Sequence, residues 1–278
     1  MLFKARDKQW DLSERTLVVG VINATPDSFS DGGECLSPEA AASKAVAFEK
    51  AGADILDIGA ESTRPGARLI TAEEEMERLL PVLKAVFEQT ALPVSVDTTK
   101  SRVAERALAL GVCVVNDVSG LKADPAMAAV VARFEAGLVI MHRRGDSQTM
   151  RQLTQYENLI ENVLAELEES IDMALKAGIS YDRIAVDPGI GFAKTKDQSL
   201  SLIKHLGSFR KFERPILIGP SRKSFIGEIT GKRTEERLFG TAASVALAVE
   251  RGARMIRVHD VREMKEVIEV TQAILNAQ

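Results

Sequence analysis

Four polar residues stand directly after four short apolar segments of this chain. They are Asn23 after LVVGVI, Asp97 after PVSV, Asn116 after VCVV and Asp187 after RIAV. Short segments rich in β-branched residues are typical of buried strands. Several buried strands that each end on an amide or a carboxylate are typical of the carboxyl-terminal mouth of a (β/α)₈ barrel. The pattern therefore predicts the fold and the place where functional side chains meet.

Eight such segments alternate with helical ones, which predicts a single TIM-barrel domain spanning residues 1–278. The candidate strands are Leu17–Ile22, Ile55–Ile58, Val94–Val96, Cys113–Val115, Leu138–Met141, Ile184–Val186, Ile216–Ile218 and Met255–Val258. The candidate helices are Pro38–Ala51, Thr71–Thr90, Lys100–Leu110, Pro125–Ala136, Tyr156–Gly178, Lys196–Leu206, Thr234–Arg251 and Val261–Leu275. A doubly wound sheet is the alternative, but no G-x-G-x-x-G follows the first strand.

Local signals place the ends of several helices. Ser37 and Asp124 each precede a proline, which predicts a capping side chain followed by proline in the first turn. Four glycines are expected to close helices in the left-handed conformation: Gly52, Gly111, Gly178 and Gly252.

Charge and cysteine content exclude several classes of partner. The chain has 36 Lys and Arg against 40 Asp and Glu, a net charge of −4, which argues against nucleic-acid or anionic-membrane binding. The two cysteines, Cys35 and Cys113, show no zinc spacing, and a reducing cytoplasmic compartment is expected. The first residues, MLFKARDKQWDLSERT, contain no apolar core of a signal peptide, and no segment approaches the roughly 18 apolar residues of a membrane span.

The loops after the strands carry two kinds of chemical group. Carboxylates and amides suit the donor-rich edge of a heterocycle such as a 2-amino-4-oxo pyrimidine. Arg64, Arg257 and His259 suit an anion, and a guanidinium matches phosphate with two parallel hydrogen bonds. Phosphate sites near the seventh and eighth strands recur in barrels of this type.

Seven segments resemble, in order, the motifs of the dihydropteroate synthase family, over essentially the whole chain: NATPDSFSDGG, ESTRPGA, SVDTTK, NDVSG, DPGIGF, SRKSFIG and RVHD. The resemblance implies a TIM barrel that joins 6-hydroxymethyl-7,8-dihydropterin diphosphate to p-aminobenzoate. The products would be 7,8-dihydropteroate and diphosphate, with Mg²⁺ assisting. It also implies a homodimer, for which the apolar stretch Thr241–Val249 offers a surface.

The resemblance also implies roles for individual residues. The pterin would contact Asp97, Asn116, Met141, Asp187 and Lys223. The diphosphate would contact Asn23, Thr63, Arg64, Arg257 and His259, with Asn23 also holding Mg²⁺. The p-aminobenzoate site would be shaped by Arg64, Pro65, Phe192 and Ser221, together with Lys223. The catalytic groups would be Asp97, Lys223, Arg257 and His259, with Asp97 stabilising the cation left by the departing diphosphate.

Two positions depart from the family pattern. After the fifth strand the family usually reads Met-His-Met. Here the three residues are Met141, His142 and Arg143, and only the local packing of that loop is expected to change. Ala193 stands where glycine is common, which affects the conformation expected for the loop of Phe192. His142 and Arg222, beside predicted site residues, are expected to be structural.

Two other functions fit part of this pattern. A methyltetrahydrofolate:corrinoid methyltransferase would share the pterin-binding residues but has no diphosphate to bind, so Arg257 and His259 favour the synthase. A non-catalytic pterin-binding paralogue is the other alternative. For the synthase, the loops Asn23–Gly33 and Thr63–Arg68 are expected to order around ligand, so that p-aminobenzoate binds after diphosphate.

Overall fold

The computed structural model describes residues 1–25 and 37–277. Within these ranges, eight parallel strands close into a barrel in the order β10-β3-β4-β5-β6-β7-β8-β9, which confirms the predicted TIM barrel. Its strands are β3 (Leu17–Asn23), β4 (Ile55–Gly59), β5 (Val94–Asp97), β6 (Val114–Asp117), β7 (Gly137–Met141), β8 (Ile184–Asp187), β9 (Ile216–Ile218) and β10 (Ala253–Val258). Each lies within two residues of its predicted bounds.

Helices follow the strands in the described part of the chain. They are α1 (Pro38–Lys50), α2 (Ala72–Gln89), α3 (Ser101–Leu110), α4 (Met127–Arg133), α5 (Leu159–Lys176), α6 (Lys196–Lys204), α7 (Ser224–Thr230), α8 (Leu238–Glu250) and α9 (Val261–Leu275). The seven-residue α7 was not predicted. The helix predicted from Thr234 begins instead at Leu238, after a short 3₁₀ turn, and the one predicted over Pro125–Ala136 is reduced to α4.

One of the two predicted caps is correct. The Ser37 hydroxyl accepts a hydrogen bond from the Ala40 amide at 3.2 Å, at the start of α1. The assignment of Asp124 as the cap of the next helix is wrong, because α4 begins only at Met127. One Asp124 oxygen accepts from the Ala126 amide at 3.0 Å in the turn before α4, and the other accepts from the Ser101 amide at 2.8 Å and so caps α3 from a neighbouring loop. All four predicted glycines have positive φ, between 89° and 122°.

An N-terminal hairpin closes the lower end of the barrel. It consists of β1 (Leu2–Ala5) and β2 (Lys8–Asp11), and it was not predicted. Phe3 is fully buried in the cluster that fills the lower barrel interior. A side chain at Gly137 would come within 2.9 Å of Phe3 and Ala5, which shows how closely the hairpin packs. Because the hairpin covers this end, the carboxyl ends of the strands form the accessible mouth.

The search for membrane spans found none. Among the described residues, no helix has both the length and the apolar character needed to cross a bilayer.

Candidate active site

Strand alternation places the functional side chains inside the barrel mouth. Residues that fill the lower interior include Leu17, Ile55, Val114, Ala185 and Met255, one from each of five strands. Side chains two apart on a strand share a face. Continuing each strand on the same face leads to a ring of polar groups at the mouth, namely Asn23, Asp57, Asn116, Asp187 and Arg257. Met141 reaches the same level on β7, where it pairs with Asp187.

Arg257 joins two carboxylates across the mouth. Its Nε donates to Asp57 Oδ2 at 2.6 Å, and its Nη2 donates to Asp97 Oδ2 at 2.9 Å. Asn116 Nδ2 donates to the same Asp57 oxygen at 3.2 Å. Asp57 is 1% exposed and was not among the predicted site residues. The structure thus adds Asp57 to the site as the group that holds Arg257 and Asn116 together.

Three buried acceptors in this cluster have no hydrogen-bond partner among the described residues. They are Oδ1 of Asp57, Oδ1 of Asp97 and Oδ1 of Asn116. A buried polar atom without a partner is costly, and native structures rarely leave one unexplained. Three of them together therefore indicate a site for a ligand that presents N–H donors.

Their surroundings raise the pKa values of the two predicted pterin carboxylates toward neutral pH. Burial raises the pKa of Asp97 to about 7, although the Arg257 guanidinium opposes the shift. Burial likewise raises the pKa of Asp187 to about 6, opposed by the Gly189 amide, which donates to Asp187 Oδ1 at 2.7 Å. Donors on a bound ligand would favour the ionised carboxylates, so ligand binding and deprotonation are linked here.

Lys223 lies opposite these carboxylates. Its Nζ stands 4.2 Å from the centre of the Phe192 ring, within the range of a cation–π contact. Burial lowers the pKa of Lys223 to about 8, and the nearby Arg257 charge adds to the shift.

Arg237 Nη1 donates to the Arg222 carbonyl at 2.9 Å, while the Arg222 Nε donates to Asp260 at 3.1 Å. Arg222 therefore has the expected structural contacts.

His259 is paired with Ser221. The Ser221 hydroxyl lies 3.0 Å from His259 Nδ1 and accepts from the His259 amide at 3.2 Å. Burial and the Arg257 charge lower the pKa of His259 to about 3. The imidazole is consequently neutral at pH 7 in the ligand-free protein. Ser221 and His259, predicted for different ligands, lie on adjoining parts of the site.

The loop after β4 brings the remaining predicted contacts to the rim. Arg64 and Pro65 are exposed and Thr63 is half-buried. The Gly66 amide donates to the Ser147 carbonyl at 2.7 Å, which ties this loop to the one after β7. Arg64 is close enough to contribute to the lowered pKa of Lys223.

Asn23 is the residue predicted to hold Mg²⁺. It ends β3 and pairs with Gly59 of the next strand. No group of three or more His, Cys, Asp or Glu side chains that could hold a metal occurs within the described residues. The rest of the predicted Asn23–Gly33 loop lies outside the described residues from Pro26 onward.

Arg143 reaches the site in a way that its sequence position did not suggest. It is 9% exposed, and its Nε has no hydrogen-bond partner in the described part of the chain. Burial lowers the pKa of Arg143, while the charges of Asp117 and Asp97 oppose the shift. The Arg143 charge in turn lowers the pKa of Asp97. The expectation that Arg143 changes only local packing was therefore incomplete.

Comparisons with known proteins agree with this geometry. A family model described as "Pterin binding enzyme" matches residues 19–259. The dihydropteroate synthase of Synechocystis is 42% identical over 266 residues, covering 95% of this chain and 92% of that protein. The Xanthomonas albilineans dihydropteroate synthase solved with 4-aminobenzoic acid is 39% identical, with a TM-score of 0.92, covering 100% of this chain and 99% of that one. A structure of that synthase in complex with 7,8-dihydropteroate has a TM-score of 0.89 and 36% identity, with full coverage of both chains.

Proposed function

We propose, since this chain belongs to the family of pterin binding enzymes, that its barrel mouth positions a pterin diphosphate for attack by p-aminobenzoate. The reaction is dihydropteroate synthesis, which the named relatives and the structures with 4-aminobenzoic acid and 7,8-dihydropteroate support. The observation that carries the residue assignment is the set of three unpaired buried acceptors beside Arg257. Acceptors suit a pterin, and the guanidinium suits its diphosphate.

The pterin occupies the acceptor-lined half of the mouth in this proposal. Asp187 accepts from the 2-amino group and the ring N–H, and Lys223 donates to the carbonyl side of the ring. Asn116 and Asp97 take the remaining polar edge, with Met141 as an apolar wall. Support comes from the burial of Asp97, Asn116 and Asp187 and from the unpaired Oδ1 atoms of Asp97 and Asn116.

The diphosphate occupies the half defined by Arg257 and His259, with Thr63 and Arg64 at the rim. Arg257 Nη1 makes no hydrogen bond to the described residues, so it can donate to the diphosphate while Nε and Nη2 keep their carboxylates. Asn23 would supply an amide oxygen to Mg²⁺, a hard cation that keeps several waters and takes phosphate oxygens as its other ligands. The bound ion would neutralise the charge that develops on the leaving group.

The chemical step needs no strong base. The bond between the pterin methylene and oxygen breaks, and its electron pair leaves with the diphosphate. Ionised Asp97, held by Arg257 at 2.9 Å, stabilises the cationic pterin methylene. The arylamine of p-aminobenzoate is neutral at pH 7 and forms the new carbon–nitrogen bond, and its proton then passes to diphosphate or water. Arg64, Pro65, Phe192 and Ser221 form the side from which it approaches.

The activity is tested by incubating the protein with both substrates and Mg²⁺. We expect dihydropteroate and diphosphate to form in equal amounts. No turnover together with tight pterin binding would support the non-catalytic alternative. Methyl transfer from methyltetrahydrofolate to a corrinoid would support the methyltransferase.

We also propose a homodimer, formed by the exposed apolar faces of α8 and α9. Phe239 is 85% exposed, Leu247 47%, Val270 55% and Ile274 70%, and α8 packs against α9. Large exposed apolar side chains on two neighbouring helices are typical of interaction sites. The cytoplasmic location and the single-domain organisation stay predictions, as does the order in which p-aminobenzoate binds.

Phe239→Glu should convert a dimer into a monomer. A charge within an apolar interface is desolvated without a partner, which costs several kcal/mol and outweighs the remaining contacts. Sedimentation at micromolar concentration measures the state. Leu175→Glu on α5, where Leu175 is 41% exposed, is the matched control and should leave the dimer intact. A dimeric Phe239→Glu protein would place the interface elsewhere.

Arg143→Met should shift the acid limb of the rate profile to higher pH. The Arg143 charge lowers the pKa of Asp97 against the effect of burial, so its removal raises that pKa above about 7. If the reaction needs ionised Asp97, activity is then lost at a higher pH as the solution is acidified. Turnover measured from pH 5 to 9 checks this. Superimposable profiles would show that Arg143 does not act on Asp97 during the reaction.

A further inference from the structure

A buried lysine lies directly behind the mouth, outside the ligand contacts proposed above. Lys194 is 8% exposed and belongs to the segment between β8 and α6. Its Nζ donates to the Phe192 carbonyl at 2.9 Å and lies 2.9 Å from His142 Nδ1. A buried ammonium is expensive unless its hydrogen bonds are made, so this placement needs a reason.

Lys194, His142 and Glu166 form a row of hydrogen-bonding side chains. The Glu166 carboxylate can only accept, so the imidazole proton sits on Nε2 and His142 Nδ1 accepts from Lys194. That nitrogen faces Glu166 Oε2 at 3.1 Å, and Arg144 Nε donates to the other Glu166 oxygen at 3.0 Å. Burial and the Lys194 charge lower the pKa of His142 to about 4, so the ring is neutral. Burial lowers the pKa of Lys194 to about 7, so the row runs from a lysine that changes charge near neutral pH, through a neutral imidazole, to a carboxylate.

The local backbone explains why a donor is required at this point. The segment folds tightly onto His142: Gly189 has φ of 68°, and a Cβ there would stand 2.0 Å from the His142 carbonyl oxygen. Ala193 has φ of 49°, a conformation that non-glycine residues seldom adopt. The Ala193 carbonyl is satisfied by the Tyr156 hydroxyl at 3.0 Å, and the Phe192 carbonyl by Lys194. Removing the ammonium would leave the Phe192 carbonyl without this donor.

Phe192, whose carbonyl accepts the hydrogen bond from Lys194, also places its aromatic ring at the mouth. The Phe192 ring faces Lys223 Nζ at 4.2 Å. Asp187 makes its hydrogen bonds to other groups, because its carbonyl accepts from the His142 amide at 2.9 Å and its side chain from Gly189, and Lys194 acts on it only through charge, which lowers the pKa of Asp187. A change at Lys194 should accordingly reach Phe192 and the arylamine side more than the pterin carboxylate.

We propose that Lys194 is a positioning residue, which His142 and Glu166 hold in place so that it fixes the Phe192 wall of the p-aminobenzoate subsite. This rests on the proposed assignment of Phe192 to that subsite. Lys194 belongs to a row of three side chains that connects α5, through the half-buried Glu166 and the buried His142, to the wall of the mouth. Nothing in the row needs to touch a substrate.

Lys194→Met tests the proposal, because it keeps the chain length and removes the donor. We expect the KM for p-aminobenzoate to rise about tenfold or more, since small displacements of a positioning wall have effects of this size, while kcat falls less. The Kd for pterin diphosphate should change less than about threefold. Lys211→Met is the control, because it makes the same substitution at a surface lysine, which pairs with Glu168 at 3.0 Å. It should match the wild type.

Two substitutions of His142 separate positioning from general loss of structure. His142→Asn keeps an acceptor near the Nδ1 position and should retain most of the wild-type affinity for p-aminobenzoate. His142→Gln places a group near Nε2 instead and should raise the KM as Lys194→Met does, without a further increase in the double variant. If Lys194→Met does not fold, the two His142 variants decide alone.

The outcomes distinguish this inference from the proposed function. An inactive wild type would overturn the proposed function. An active wild type whose KM for p-aminobenzoate is unchanged in Lys194→Met and in His142→Gln would overturn the positioning role. Equal weakening of pterin diphosphate and p-aminobenzoate would also overturn it, because that result indicates a general disturbance of the mouth.

Discussion

Replacing Asp187 with asparagine should weaken pterin binding by about a hundredfold or more, because charged hydrogen bonds worth roughly 1.5–3 kcal/mol are lost and a repulsion replaces them. The Gly189 amide donates to Asp187 Oδ1 at 2.7 Å and would keep the asparagine oxygen turned toward itself. The asparagine NH₂ would then face the donor edge of the pterin. Titration with hydroxymethylpterin measures the loss, and diphosphate affinity should change little.

The pH dependence of the same equilibrium provides an internal check. The pKa of Asp187 in the free protein is raised to about 6 by burial. Pterin donors favour the ionised form, so wild-type affinity should fall as the pH drops through about 6, and the asparagine variant should lack this dependence on Asp187. Asp197→Asn, on the exposed start of α6, is the control. Wild-type affinity in Asp187→Asn would exclude Asp187 from the pterin contacts.

Replacing Arg257 with alanine should destabilise the fold by about 3–5 kcal/mol, the usual cost of removing one partner from a buried ion pair. Both Asp57 and Asp97 lose their guanidinium, and each is at most 9% exposed. Denaturant unfolding at pH 7 to 8 measures the effect. Arg254→Ala on the same strand is the control, since Arg254 donates only to the Ser13 carbonyl at 3.3 Å, in an exposed contact.

The destabilisation should depend on pH with a definite sign. The folded-state pKa of Asp97 is about 7, above the ordinary value for aspartate, and loss of Arg257 raises it further. A group with a raised pKa favours the folded state at low pH and loses that contribution as the pH rises through the folded value. The difference in unfolding free energy between variant and wild type should therefore shrink as the pH falls toward about 7, and should change little below it. A difference that is small and constant across this range would mean that the two carboxylates do not depend on Arg257.

The barrel and much of its mouth could be predicted because their signals are local. Eight β-branched segments at regular intervals define the strands, and Asn23, Asp97, Asn116 and Asp187 mark their ends. Asp57 was missed because it lies inside its strand, with Ile58 and Gly59 after it. The alternation of side chains along the strand could have identified it. Ile55 and Asp57 lie on the same face of the strand, and Asp57 is the one nearer the mouth.

Features that depend on tertiary contacts could not be read from the sequence. Asp124 was expected to cap the helix that follows it, but one of its oxygens accepts from the Ser101 amide at the start of α3. The N-terminal hairpin has strands of four residues with charged positions, and its structural role depends on the fit of Phe3 against Gly137. The neutrality of His259 follows from burial beside Arg257, which charge counting cannot show.

The central claim is that one barrel mouth binds the two halves of a pterin diphosphate at adjoining subsites. Calorimetric titration of the wild type, with Mg²⁺, by hydroxymethylpterin, by diphosphate and by the pterin diphosphate tests it most directly. We expect hydroxymethylpterin and diphosphate to bind at the same time, and their ester to bind at least about a hundredfold more tightly than either, because linking two bound groups makes the second contact intramolecular. Displacement of hydroxymethylpterin by diphosphate, or an ester that binds no more tightly than hydroxymethylpterin, would contradict the claim.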